Sequence, residues 1–235
     1  MSNAKSKKAA EIQEPTRVIL LVSLAASLPE PERLSRLVAE TDVSSVILLP
    51  NADNPPKADQ LKPLVAVLQH NDTAVLIADD VELANNVSAD GVHLSHVDGD
   101  IADDIQARYK SARQALGPTA IVGVDVGISR HDAMALGDDN ADYIAFSPSH
   151  AKPVRGEDDD DADPGLDDPH ELISWWAEIF EPPVVALFAN DLDEACELAA
   201  IGADFVGLNL PAGVSPADEL EWLQNANTRL AEAKR

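Results

Sequence analysis

Three aspartates stand where short apolar runs give way to polar residues. Asp79 follows Ala74–Ile77, Asp98 lies just beyond Gly91–Leu94, and Asp125 follows Ala120–Val124. Carboxylates are hard oxygen donors, and three brought together can hold Mg²⁺ or another hard cation. Asp80 and His96 are near enough in sequence to join them. Aspartate at such a place also serves as a helix N-cap or as a water-exposed loop residue, and the spacing leaves both readings open. His93 lies inside an apolar run and reads as a packed, hydrogen-bonded side chain, whereas His96 and His150 stand where a ring can reach a ligand. Cys196 is the only cysteine, so no intrachain disulfide forms; it reads as a small buried apolar group on a helix, and a cytoplasmic protein is expected.

The elements that must position these groups alternate along the chain. The sequence predicts strands at Arg17–Ser23, Ser45–Leu49, Ala74–Ile77, Gly91–Leu94, Ala120–Val124, Tyr143–Phe146, Val184–Leu187 and Phe205–Leu208. Between and after them it predicts helices over Pro31–Glu40, Gln60–His70, Val81–Val87, Ile101–Leu116, Arg130–Leu136, Asp168–Ile179, Leu192–Ile201 and Pro216–Ala233. Short continuous apolar strands are those of a parallel sheet buried on both faces. Eight strand–helix units in 235 residues point to a single α/β domain, a (β/α)8 TIM barrel, over an open doubly wound sheet. Residues ending a barrel strand face the C-terminal rim, where active sites are built.

Seventeen Lys and Arg against 42 Asp and Glu give a net charge of −25. Such a chain repels phosphate backbones and anionic lipid surfaces, so neither nucleic acid nor membrane is an expected partner. No apolar run approaches the ~20 residues of a membrane span. Residues 1–16 read as a flexible polar arm, and 17–235 as the barrel. Ser147–Asp168 is rich in Pro, Gly and acids, and the run Glu157–Asp161 within it is expected to be mobile and solvated. Trp175 and Trp176 read as core residues or as anchors of a homodimer interface.

The stretch Leu76-Ile77-Ala78-Asp79 through Gly91-Val92-His93-Leu94 and Asp98 resembles the centre of the thiamine-phosphate synthase/TenI family. Further anchors are Ile121-Val122-Gly123-Val124, Ala141-Asp142-Tyr143-Ile144, Pro183-Val184-Val185-Ala186 and Gly202-Ala203-Asp204. The resemblance implies a TIM barrel in thiamine biosynthesis. It would be a transferase joining a pyrimidine methyl diphosphate to a thiazole phosphate, with magnesium on the leaving diphosphate. It also implies that Asp79 and Asp98 are the metal-side carboxylates, and that Asp125, Asn51, His96 and Lys152 face a small-molecule substrate.

The ligand-binding pattern of that family is largely rewritten. Its Gln-x-Arg-x-Lys at the end of strand two is here Ile47, Leu49 and Asn51. Its Asn-Asp after strand three is Ala78-Asp79, and its Ser after strand five is Asp125. The tautomerase branch has a histidine where this chain has Gly127. The family's Gly-Gly after strand seven is Phe188-Ala189 and its Ser after strand eight is Leu210; its Thr-x-Thr-Lys loop has no clean counterpart, Lys152 being the candidate remnant. Each lost charge-assisted donor removes about 1.5–3 kcal/mol of phosphate binding. Synthase activity is therefore expected to be weak or absent. The rival expectations are a non-catalytic binding or regulatory barrel, an enzyme of altered chemistry around an Asp-lined cation site, and a synthase whose cations come from a partner chain.

Overall fold

The computed structural model describes residues 14–25, 28–51, 54–96, 102–148 and 168–234. The run Glu157–Asp161, and with it Asp98, His150 and Lys152, lies outside the described residues. Eight parallel strands close in chain order into a barrel. They are β1 (Arg17–Ser23), β2 (Val43–Leu49), β3 (Ala74–Ala78), β4 (Gly91–Leu94), β5 (Ile121–Asp125), β6 (Tyr143–Phe146), β7 (Val184–Ala186) and β8 (Phe205–Asn209). The helices that follow them are α1 (Pro31–Ala39), α2 (Ala58–Gln69), α3 (Val81–Val87), α4 (Ala102–Leu116), α5 (Arg130–Asp138), α6 (Pro169–Ile179), α7 (Leu192–Ala200) and α8 (Pro216–Ala233). The sequence-predicted barrel is the observed one, with ends displaced by two residues at most.

Alternation along each strand sorts the side chains. Ile19, Ile47, Leu76, Tyr143, Ala145 and Val185 form the barrel interior. Val18, Leu20, Val46, Leu48, Val75, Ile77, Val122 and Val206 point the other way, into the layer shared with the helices. Apolar side chains on both faces explain why the strands read as unbroken apolar runs.

A repeated Ala-Asp pair fixes the starts of three of the four even strands. Asp90, Asp142 and Asp204 each precede β4, β6 or β8. Each donates its backbone N–H to a carbonyl of the preceding strand: Val75 at 2.8 Å, Val122 at 3.2 Å and Val184 at 3.0 Å. Each carboxylate then accepts the N–H of that same valine, at 2.7, 2.7 and 2.9 Å. The alanine before each aspartate donates to the end of the preceding helix: Ala89 to Ala84, Ala141 to Leu136 and Ala203 to Leu198, all at 3.0 Å.

Gly91 has a different reason to be glycine. A Cβ there would lie 1.8 Å from the carbonyl oxygen of Ile121 on β5. At the seam between α1 and α8, Arg33 clamps buried Glu219 through Nε and Nη2, the Nε contact being 2.8 Å. Thr16, assigned to the arm by sequence, is buried and donates its hydroxyl to Ala203 at 2.6 Å. Trp176 is a core residue, stacked on Phe180 at 4.1 Å, with its indole N–H on the Pro182 carbonyl. Trp175 is half-buried beneath the Arg130 guanidinium. Cys196 is half-buried against the outer core rather than fully enclosed.

Asp90→Ala removes the acceptor of Val75 N–H and of the Gln69 amide. It is expected to lower unfolding free energy by about 1.5–3 kcal/mol, the worth of charge-assisted hydrogen bonds. Urea unfolding of the two proteins measures this, and an unchanged midpoint would show that the clasp carries no stability.

Candidate functional site

The C-terminal rim of the barrel opens into a cavity of about 770 Å³. Strand ends and the loops after them supply Leu21, Leu49, His93, Ser95, His96, Asp125, Ser147, Leu187, Phe188 and Asn209. The first turns of two helices supply Asp168, His170 and Glu194. Among the described lining residues there are three imidazoles and three carboxylates, and no Lys or Arg.

Asp125 is buried and already engaged. One oxygen accepts Gly127 N–H at 2.9 Å, the other the Ser147 hydroxyl at 2.7 Å. Gly127 has φ +61°, a left-handed conformation that suits glycine. The His96 ring packs where a side chain at that position would be, with Cδ2 and Nε2 2.9 Å from an added Cβ. Thus the place where the tautomerase branch carries a histidine, position 127 here, is filled instead by the ring of His96.

Asp79 stands on a different wall. It has φ +57°. Its Oδ1 accepts Ser95 N–H at 2.8 Å and pairs with Arg108 Nη2 at 2.9 Å. It faces a separate 360 Å³ hollow with Val81, Leu94 and Arg108, not the main cavity. The cap of α3 is Asp80, whose carboxylate accepts Leu83 N–H at 2.8 Å. Among the described residues no group of three or more His, Cys, Asp or Glu could hold a metal ion. Asn51 does not line the main cavity; its carbonyl accepts Asn54 N–H at 3.2 Å. The structure therefore brings Asp125 and His96 together at the cavity, while Asp79 and Asn51 stand outside its lining. Asp98 and Lys152 fall outside the described residues.

Lining residues not singled out from sequence include His170, Glu194, Asn190 and Asn209. His170 is anchored by Asp168, the N-cap of α6, which accepts its backbone N–H at 2.9 Å and meets Nδ1 at 3.2 Å. Its ring sits edge-on to Phe188, centroids 5.4 Å apart. Glu194 holds the Asn190 backbone N–H at 2.7 Å and its side-chain amide at 2.8 Å. The usable signal was the Asp-Pro start of α6, which puts residue 170 in a first turn facing the rim.

His93 and Tyr143 form the buried floor. His93 Nδ1 and the Tyr143 hydroxyl are 2.9 Å apart. Burial pushes the imidazole below its ordinary value of 6.5, against the opposing pull of Asp125 and Asp79. Burial, then Asp125 and Asp142, push the Tyr143 phenol upward, so it stays protonated.

The lowered imidazole has a consequence for stability. Below about pH 6.5 the unfolded chain takes up a proton at His93 before the folded chain does, so acidification through this window favours unfolding. The urea midpoint should fall between about pH 7 and pH 5. His93→Gln should fall less steeply over that interval. Identical slopes for the two proteins would show that His93 contributes nothing to the acid response.

Residues 30–209 match the family model for thiamine monophosphate synthase. The thiamine-phosphate synthase of Erythrobacter litoralis (strain HTCC2594) is 33% identical over 227 residues, covering 95% of this chain and all of that protein. That of Rhodospirillum centenum (strain ATCC 51521 / SW) is 36% identical over 165 residues, 67% of this chain and 70% of its own. In fold, the chain superposes on a thiamine phosphate pyrophosphorylase from Pyrococcus furiosus with a TM-score of 0.67 at 20% identity, covering 92% and 96% of the two chains. Sequence match and barrel together place this chain in the thiamine monophosphate synthase family.

Proposed function

We propose that this barrel is a divergent thiamine-phosphate-synthase-type protein that keeps a ligand cavity but condenses pyrimidine diphosphate with thiazole phosphate weakly or not at all. The observation that carries this reading is the cavity wall: Asp125, Asp168 and Glu194 line it, without Lys or Arg among the described residues. Condensation breaks the bond from the pyrimidine methyl carbon to diphosphate and forms one to the thiazole nitrogen. The leaving diphosphate needs cationic or N–H donors as its charge develops. At an effective dielectric of ~20, a like charge at ~4 Å opposes it by about 4 kcal/mol. Leu49 gives an apolar surface where the family has a guanidinium, and Phe188, backed by His170, narrows the rim after β7.

Magnesium would fall to Asp79 and Asp98 in the synthase reading. Of these, Asp79 already holds Arg108 and Ser95, an arrangement that does not suit a strong cation site. No step is routed through the ion. The same engagement speaks against an altered enzyme built on an Asp-lined cation centre. The preserved cavity favours, as second reading, a binding barrel that takes a small molecule without turning it over.

The test is single-turnover formation of thiamine phosphate from the two substrates, with magnesium and again with chelator. The rate should fall at least about 100-fold below that of a family protein that keeps Gln-x-Arg-x-Lys, since loss of one such donor alone costs about 10²–10³. Leu49→Arg with Asn51→Lys should not restore it, because Phe188 and Leu210 remain. A rate equal to that family protein would refute the reading.

A further inference from the structure

His93, Gly123 and Tyr143 lie side by side on one rung of β4, β5 and β6. Gly123 leaves the middle of the rung empty, and the Tyr143 ring fills it. A Cβ on residue 123 would sit 1.8 Å from Tyr143 Cζ. The phenol thereby reaches across a strand to His93, with the two rings nearly parallel at 11° and their centroids 6.0 Å apart. Its hydroxyl oxygen is 2.9 Å from His93 Nδ1, and that is its one hydrogen bond among the described residues.

The direction of this bond decides the ring's proton. Tyr143 is buried, and among the described residues its hydroxyl meets no hydrogen-bond partner other than His93. If Nδ1 carried the proton and donated it, the phenolic hydrogen would be left without an acceptor. A buried donor without a partner is the costlier arrangement. The hydroxyl therefore donates, Nδ1 accepts, and the imidazole proton resides on Nε2. His93 lines the cavity, and with Nδ1 engaged by Tyr143 its Nε2 is the ring nitrogen left to meet a ligand.

We infer that Tyr143 is a positioning residue that holds His93 in its Nε2–H tautomer and so gives the cavity floor one fixed hydrogen-bond donor. Its complement is a ligand atom with a lone pair, such as a ring nitrogen or a carbonyl oxygen, seated beside Asp125. The tautomer does not depend on whether the barrel condenses anything; the use of thiamine phosphate as probe rests on the synthase-type reading.

The test is ¹⁵N-histidine NMR on the full chain at neutral pH. Long-range proton–nitrogen correlations should show the His93 proton on Nε2, with Nδ1 as the acceptor. A proton on Nδ1, alone or in addition, would overturn the inference. Tyr143→Phe should populate both tautomers while unfolding remains cooperative, and an unchanged tautomer in that variant would equally overturn it. If the variant does not fold, the spectrum of the unmodified protein decides. Added thiamine phosphate should shift Nε2 and bind Tyr143→Phe roughly three- to tenfold more weakly than the parent. Equal affinities would remove the donor role. Absence of binding by the parent would count against the synthase-type reading, and the tautomer measurement would still decide this one.

Discussion

The barrel rests on a carboxylate used as a piece of backbone. Asp90, Asp142 and Asp204 each pair with both main-chain groups of one valine, giving an N–H to its carbonyl and taking its N–H on a side-chain oxygen. Without that oxygen, three N–H groups at the N-terminal end of the barrel would lose their acceptors, and buried backbone donors are nearly always paired. The aspartate carbonyls extend the pattern, since Asp90 accepts Ile121 N–H at 2.9 Å and Asp204 accepts Arg17 N–H at 3.1 Å. Register is thus set at the N-terminal ends of the strands. Everything at the other rim inherits its position from there, the rung of His93, Gly123 and Tyr143 included.

This division gives the acidic residues two roles. Those at the strand starts hold the frame and meet valine amides. Those at the rim, Asp125, Asp168 and Glu194, hold loops and face the cavity. The frame is the barrel this chain shares with its family, while the rim is where the proposed departure lies. A barrel can exchange the residues above its strand ends with little effect on closure, because the two sets touch different groups.

The fold was legible because buried parallel strands leave runs such as Val75-Leu76-Ile77 and Val122-Gly123-Val124, with prolines and Asp-Pro starts marking helices between them. The site was legible only where a strand end leads straight into the cavity, as at Asp125 and His96. Asn51 follows β2 as the family pattern requires, yet the chain turns after Pro50 and carries it off the cavity lining. Asp79 reads from sequence as a cation ligand, a helix cap or a water-exposed loop residue, because Arg108, its partner, lies on α4, and no local spacing announces a contact across a loop. His170 and Glu194 come from helix first turns on separate units, so only the closed barrel brings them to one wall. His93 did read as a packed, hydrogen-bonded residue, but its partner is fifty residues away and depends on an absence, the missing side chain of Gly123.

Gly127 and His96 compete for one volume. The ring of His96 lies where any side chain on residue 127 would begin. A side chain on residue 127, in the loop after β5, would therefore have to displace the ring that the loop after β4 places in that corner. Moving a histidine from one stave to its neighbour leaves an imidazole in the same corner but turns its attachment by the angle between two strands. The two positions are therefore coupled, because a change at one alters the room left to the other.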